Sequence, residues 1–357
     1  MTGPRLPAEW EPHEACLLAW PTRESLWGGT FAAAEREYAA VVRAIARFEP
    51  VTLVVSPGRA ERVRALCEVL VDTVEIPMDD SWLRACGPIF VHGPAGRVGV
   101  DFRFNGFGDR FHPHDQDDRV AERLLRALGV PRRATMTVLE GGAISVDGEG
   151  TLIATEQCVL NPNRNARLDR RDLETELGAL LGITKVIWLP YGHLAGETDG
   201  HVDHVCQFAG PGRVVVEAAD PTRPDHLRLR ANRTVLEAAT DAAGRRLQIF
   251  ELPPQQLINY CGRDGAVNYV NFYLAGGGAG GGVILPTAAT RADEKALAAA
   301  TVAFPDRQIV GVDARALALA DGGIHCITQQ LPITQQLPAE RATPPTTSPH
   351  SHLEAPL

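Results

Sequence analysis

Short apolar runs rich in β-branched residues alternate with stretches of helical period along nearly the whole chain. The runs at 51–55, 99–102, 151–154, 185–189, 213–217, 247–252, 283–285 and 308–312 are each bounded by Gly, Pro or Asp and predict strands. Apolar residues at three- and four-residue spacing predict helices over 32–48, 60–70, 118–128, 172–181, 225–243 and 292–303. Interleaving of this kind restricts the chain to an α/β architecture, because each helix must bury its apolar stripe on a neighbouring sheet. No repeat is visible in the residues themselves, and no linker interrupts the pattern before Pro338, so 1–338 reads as a single catalytic domain. Beyond it, 339–357 is rich in Pro, Ser, Thr and Ala without apolar period, and predicts a disordered tail. The glycine run at 276–282, GGGAGGG, predicts a flexible turn.

Charge and cysteine usage exclude several function classes. With 35 Lys+Arg against 44 Asp+Glu, the net charge of -9 repels nucleic acid and anionic membranes and favours cationic ligands. Seven cysteines, none at C-x-x-C spacing, argue against a disulfide framework or a zinc knuckle. The polar start carries Glu and Pro early, and no apolar run approaches the length of a membrane span, so a cytoplasmic location is expected. Neither H-E-x-x-H nor G-x-S-x-G occurs, and the glycine run lacks the Lys-Ser/Thr ending of a phosphate loop. His112 and His114, with Asp115, Asp117 and Asp118, read as a loop entering a helix N-terminus rather than as a metal centre.

Four segments are dense in polar residues within apolar surroundings: 79–90 (DDSWLRACGPIF), 140–150 with 161–165 (EGGAISVDGEG, NPNRN), 197–208 (ETDGHVDHVCQF) and 321–332 (DGGIHCITQQLP). His201 and Asp203 are two apart, so on a strand they share a face and aim a base and a carboxylate into one pocket. Cys326 follows a Gly-Gly pair. A nucleophilic cysteine needs a base, and neighbouring His325 would face away on a strand, which leaves His201 as partner. Glu140 precedes two glycines, which place a carboxylate at a pocket rim. A thiol, an imidazole and carboxylates together suit attack on the central carbon of a guanidinium, a planar, permanently charged group that carboxylates bind in fork geometry. The imidazolium would then protonate departing ammonia, and the imidazole would activate water.

The motifs PAEWEPHEACLLAWP at 7–21, DDSWLR and GP within 79–88, EGG and VDGEGT within 140–151, NPNRN, TDGHVD at 198–203, YVNFY at 269–273 and IHCITQQ at 324–330 occur in one order along the chain. In these residues it resembles the agmatine deiminase family, also called the bacterial-type peptidylarginine deiminase family. The resemblance implies the pentein fold, a five-bladed α/β propeller with pseudo-fivefold symmetry, and a mechanism without cofactor or metal. It also implies a small cationic guanidino substrate and, by analogy, a homodimer. Residue by residue it makes Cys326 the nucleophile, His201 the general acid/base, Asp203 a guanidinium-binding carboxylate and Glu140 a support for the histidine or substrate. It places Asp79, Trp82, Ala85, Asn271, Asp321 and Gly323 around the substrate.

The departures from the family pattern are specific. The family usually carries Asp after the DDSWxR arginine, and here that place is Ala85. The usual GGGNIHC has become ADGGIHC, so the Asn place is Gly323 and Asp321 is new. The usual His of IHVDGEG is Ser145. The expected activity is hydrolysis of a guanidino compound through a covalent Cys326 intermediate, with release of ammonia. Ala85 leaves open a paralogue acting on a substituted or cyclic guanidine, or an amidinotransferase. A non-catalytic binding protein on the same scaffold is the alternative of another class.

Overall fold

The computed structural model describes residues 3–334, so the tail expected over 339–357 lies outside the described residues. The runs that read as strands become Val51–Val55, Gly96–Arg103, Thr151–Thr155, Lys185–Leu189, Arg213–Glu217, Gln248–Leu252, Gly282–Thr287 and Gln308–Asp313. The helical stretches become Phe31–Ile45, Ala60–Cys67, Val120–Leu128, Arg170–Leu181, His226–Ala238 and Ala292–Ala303. Helix 60–67 stops early because Glu68 turns left-handed, and 120–128 stops at Gly129, which does the same. The long helix expected over 225–243 ends at Ala238, where Ala239 becomes extended.

These elements assemble into a repeated unit of one kind. A short strand runs antiparallel to a second strand, a helix follows, and a third strand returns parallel to the second. Ile89–Gly93, Gly96–Arg103 and Arg132–Val138 form one such sheet around helix Val120–Leu128. Ile144–Val146, Thr151–Thr155 and Lys185–Leu189 form the next, and Cys206–Gly210, Arg213–Glu217 and Gln248–Leu252 the one after it. Tyr273–Ala275, Gly282–Thr287 and Gln308–Asp313 follow. In the fifth sheet the chain ends meet: Thr328–Pro332 pairs antiparallel with His13–Ala19, which runs parallel to Val51–Val55, with Asp72–Glu75 added at the edge. A separate hairpin, Gln256–Tyr260 with Arg263–Val267, precedes the fourth unit.

The second strands are buried along most of their length, because a helix covers one face and the rest of the molecule the other. Strand Thr151–Thr155 is buried throughout, and helix Phe31–Ile45 presses Tyr38, Val41, Val42 and Ile45 into the largest core. Each such side chain contributes about 1.5–3 kcal/mol by leaving water. The antiparallel first strands are short, and two of them bury polar residues: Gln207 in Cys206–Gly210, and Gln329 and Gln330 in Thr328–Pro332. The glycine run turns the chain between Tyr273–Ala275 and Gly282–Thr287, as expected, and its ends are held by neighbours. Arg307 donates to the carbonyls of Ala275, Gly276 and Gly282, and a Cβ on Gly277 would lie 2.0 Å from Cα of Pro12. Gly277 is required because another part of the backbone passes against it, whereas Gly278 and Gly280 have open space and adopt positive φ.

Candidate active site

In every unit the chain enters the first strand through a tight turn. These are Leu83–Cys86, Gly141–Ala143, Val202–His204, the residues around Asn271, and Ile324–Ile327. The turn at 83–86 packs on those at 324–327 and 141–143, and 141–143 packs on 202–204. Every polar segment singled out in the sequence contributes one of these turns, so segments up to 240 residues apart converge at one end of the sheets. They surround a cavity of about 410 Å³ whose walls include Trp82, Ala85, His201, Asp203, Asp321 and Cys326.

The turns correct the local geometry expected from sequence. His201 and Asp203 do not lie on a strand: His201 caps the single 3₁₀ turn Val202–His204. Both still line the cavity, His201 from the extended residue that enters the turn and Asp203 from within it. Ile324–Ile327 is likewise one helical turn rather than a strand; Cys326 lines the cavity, while His325 lines the pocket behind it and reaches Asp203 from there. Its Nδ1 lies 2.8 Å from Oδ2 of Asp203 and its Nε2 lies 3.0 Å from Oε2 of Glu9. Arg84 completes the row, with Nη2 donating to Glu9 at 3.1 Å and Nη1 to Gln330 at 2.8 Å. A ring with a carboxylate on both nitrogens must donate from both, so His325 is an imidazolium. Burial and the nearby Arg84 oppose this charge, but Glu9 and Asp203 outweigh them and hold the ring above its ordinary value. Burial likewise opposes ionisation of Asp203, yet the His325 hydrogen bond and the surrounding histidines keep its carboxyl well below the usual range.

Around the thiol, Cys326 Sγ lies 3.5 Å from Nε2 of His204, 3.4 Å from Oδ1 of Asn271 and 4.0 Å from Oδ2 of Asp203. Asn271 is fully buried. Its Oδ1 accepts the backbone N–H groups of His325 at 3.0 Å and Cys326 at 3.4 Å, so it holds the backbone that carries the thiol. Burial first, and then the Asp203 charge, push the Cys326 thiol well up, so the empty site keeps it protonated. Glu140 is not at a rim: it is 1% exposed and accepts from Nε of Arg164 at 3.0 Å. Its other oxygen lies 4.0 Å from Nε2 of His201. Arg164 also grips Asp199, which Arg110 and Asn163 hold from the other side. Burial pulls His201 below its ordinary value, which leaves a neutral imidazole.

Two buried polar atoms here have no protein partner, Nε2 of His201 and Oδ1 of Asp203. A buried acceptor left open costs free energy unless a ligand supplies its donor. The glycines explain how the cavity closes so tightly. A Cβ on Gly142 would lie 2.7 Å from Nδ1 of His201 and 2.8 Å from Oδ2 of Asp203, and one on Gly322 would lie 2.3 Å from the Trp82 ring.

Of the remaining expected residues, Asp321 lines the cavity with a backbone in the left-handed region, and its Oδ2 accepts the Glu197 N–H at 2.6 Å. Ala85 contributes its methyl group to the wall beside Trp82. Gly323 lies behind the wall, where an added Cβ would meet Oδ1 of Asn271 at 2.3 Å. Asp79 does not reach the cavity. Its carboxylate accepts the Gln116 N–H at 2.8 Å and so ties two loops together. Glu9, Arg84, His204 and His325 escaped the sequence reading as site residues. Glu9 and Arg84 did sit within the motifs PAEWEP and DDSWLR, and His204 sat one residue beyond the H-x-D pair.

The profile of the Porphyromonas-type peptidyl-arginine deiminase family matches residues 5–332. An agmatine deiminase of Pseudomonas aeruginosa (strain LESB58) is 41% identical, with 92% of this chain and 96% of the relative covered. A putative agmatine deiminase of Streptomyces coelicolor is 42% identical, over 92% of this chain and 99% of its own. Among solved structures, agmatine deiminase of Enterococcus faecalis superimposes with a TM-score of 0.87 at 33% identity, covering 92% of this chain and 96% of that one. Fold, cavity and relatives define a hydrolase that acts on carbon–nitrogen bonds of guanidino groups. Within that class, the chain belongs to the Porphyromonas-type peptidyl-arginine deiminase family.

Proposed function

We propose that the substrate is agmatine or a close guanidinoalkylamine, hydrolysed to the corresponding urea and ammonia. The observation that carries this is the open Oδ1 of Asp203 beside the Cys326 thiol, a buried anionic acceptor that a guanidinium N–H satisfies. The docked cation offsets the Asp203 charge and lowers the thiol's pKa. The thiol proton passes to neutral His201, and the sulfur adds to the central carbon. His201 returns the proton to the departing nitrogen, ammonia leaves, and a thiouronium remains on Cys326. His201 then takes a proton from water, hydroxide adds to the same carbon, and the thiolate departs. Glu140, held by Arg164, steadies the histidine in its charged state.

Glu197 and Asp321 line both this cavity and the larger cleft outside it, and like charge between them opposes ionisation of Glu197 once burial is counted. A second cation at that mouth, the primary ammonium of the substrate tail, relieves the repulsion. A carboxylate at the same place, as in free arginine, aggravates it. Residues 1–338 form one catalytic domain in this proposal, the five like sheets form the five blades of a propeller, and the enzyme works as a cytoplasmic homodimer. The apolar wall of Trp82, Ala85, Phe107 and Phe111 favours a second substrate type, a guanidine alkylated on the nitrogen that faces Ala85. Ammonia release from agmatine, arginine, peptidyl-arginine and N-alkylated guanidines tests both. Turnover of arginine above agmatine would overturn the assignment of the mouth.

A further inference from the structure

We propose that a zinc ion binds at the cavity through Cys326 Sγ, His204 Nε2 and Asp203 Oδ1, and so switches the enzyme off reversibly. One carboxylate oxygen of Asp203, an imidazole nitrogen of His204 and the sulfur of Cys326 lie within 4.8 Å of one another. Nε2 of His204 is 3.5 Å from the sulfur and 3.7 Å from Oδ1 of Asp203. Tetrahedral zinc, with bonds of about 2.3 Å to sulfur and about 2.0–2.1 Å to nitrogen and oxygen, needs ligand edges of about 3.3–3.6 Å. The nitrogen–sulfur edge fits as it stands, and the nitrogen–oxygen edge is long by a few tenths of an ångström.

A second observation points the same way independently of the cluster. Oδ1 of Asp203 is buried in a residue with no exposure and has no partner, while Oδ2 is held by His325. A ligating carboxylate oriented by a histidine through its other oxygen is the outer-sphere arrangement that fixes metal ligands. The thiol releases its proton on binding, so thiolate and carboxylate together neutralise the dication. The fourth position faces the cavity and takes water. The ion then sits where the guanidinium must dock and ties up the sulfur, so it inhibits and takes no part in catalysis. A further group, Glu140, Cys158 and His201, also lies within 4.8 Å, but Glu140 is already committed to Arg164.

The test uses the full chain, freed of metal under reducing conditions and titrated with Co²⁺ and Zn²⁺. This readout does not depend on which guanidine the enzyme hydrolyses. The expected result is one ion per chain, a thiolate-to-cobalt charge-transfer band, and its bleaching by zinc. Zinc should also protect Cys326 from iodoacetamide and raise the KM for agmatine without changing kcat. His204→Asn should weaken zinc by about 100-fold or more, and Cys326→Ser should abolish the band. Cys158→Ser should leave both intact. A wild-type protein without the band overturns the proposal, as does a His204→Asn protein that binds zinc as tightly as wild type. Loss of binding in Cys158→Ser alone assigns the ion to the other group and overturns it equally. Should His204→Asn fail to fold, the wild-type band and the alkylation protection decide the matter.

Discussion

Replacing His325 with Gln removes the central positive charge from an alternating row of Arg84, Glu9, His325 and Asp203. The ring contacts its two carboxylates at 3.0 and 2.8 Å, and its side chain is 5% exposed. At an effective dielectric constant of about 20, each such contact is worth about 6 kcal/mol before desolvation. Desolvation of the three ions cancels much of that sum. What the variant exposes is the cost of leaving Asp203 buried without its cation, about 3–5 kcal/mol. For the described residues this corresponds to a fall in Tm of about 4–7 °C. The loss should depend on pH with a definite sign. The imidazole of His325 is held above its ordinary 6.5, so its contribution is complete below that value and fades as pH rises through the folded-state value. Glu9 is lowered from 4.5 to about 2, because His325 and Arg84 outweigh its burial, and Asp203 is lowered as well. Their contribution is present above their ordinary values and fades as the solution is acidified. Urea unfolding of wild type and His325→Gln should therefore differ most near pH 5–6, and less on both sides. Adding Asp203→Asn to His325→Gln should recover part of the loss, since the buried charge is then gone. A loss below about 1 kcal/mol, or one that is flat across pH, would mean that the row does not carry the charges assigned to it.

Cys326→Ser should abolish ammonia release while agmatine still binds, as isothermal calorimetry would register; turnover at the wild-type rate would exclude a sulfur nucleophile. Gly142→Ala drives a methyl group into His201 and Asp203, so kcat/KM should drop by about 10²-fold with unchanged secondary structure by circular dichroism; full activity would show that the close approach is not needed. Ala85→Asp supplies an acceptor where the wall is now apolar, and a charged hydrogen bond of about 1.5–3 kcal/mol should raise kcat/KM for agmatine by about 10–100-fold. No gain in a folded Ala85→Asp protein would indicate that Asp203 and Asp321 already satisfy the guanidinium. Binding of a guanidinium that cannot react should speed iodoacetamide labelling of Cys326 at pH 7 if the ligand leaves the sulfur accessible; mass spectrometry would detect it, and an undiminished thiol pKa in the complex would contradict activation by the substrate's charge.

The α/β class was legible in the chain because second and third strands, and the helices between them, bury apolar side chains at regular spacing. Strands such as 185–189 and 213–217, and the helix 292–303, appear where that spacing put them. Residues that meet at the cavity were legible as well: Cys326, His201 and Asp203, with Glu140 beside His201, stand in segments too polar for the apolar sequence around them. What the chain did not display were the first strands, which are three to five residues long and in two cases bury glutamines, Gln207, Gln329 and Gln330, that break the apolar pattern. Nor did it display the tight turns that precede them. A strand and a one-turn helix of four residues are indistinguishable by period. Only the assembled sheets bring 84, 140, 201–204, 271 and 325–326 to one end, and only there does Glu9 meet His325 and Arg84. Pairings of this sort depend on a long-range approach to within about 3 Å, and local sequence carries no record of a distance that the fold creates.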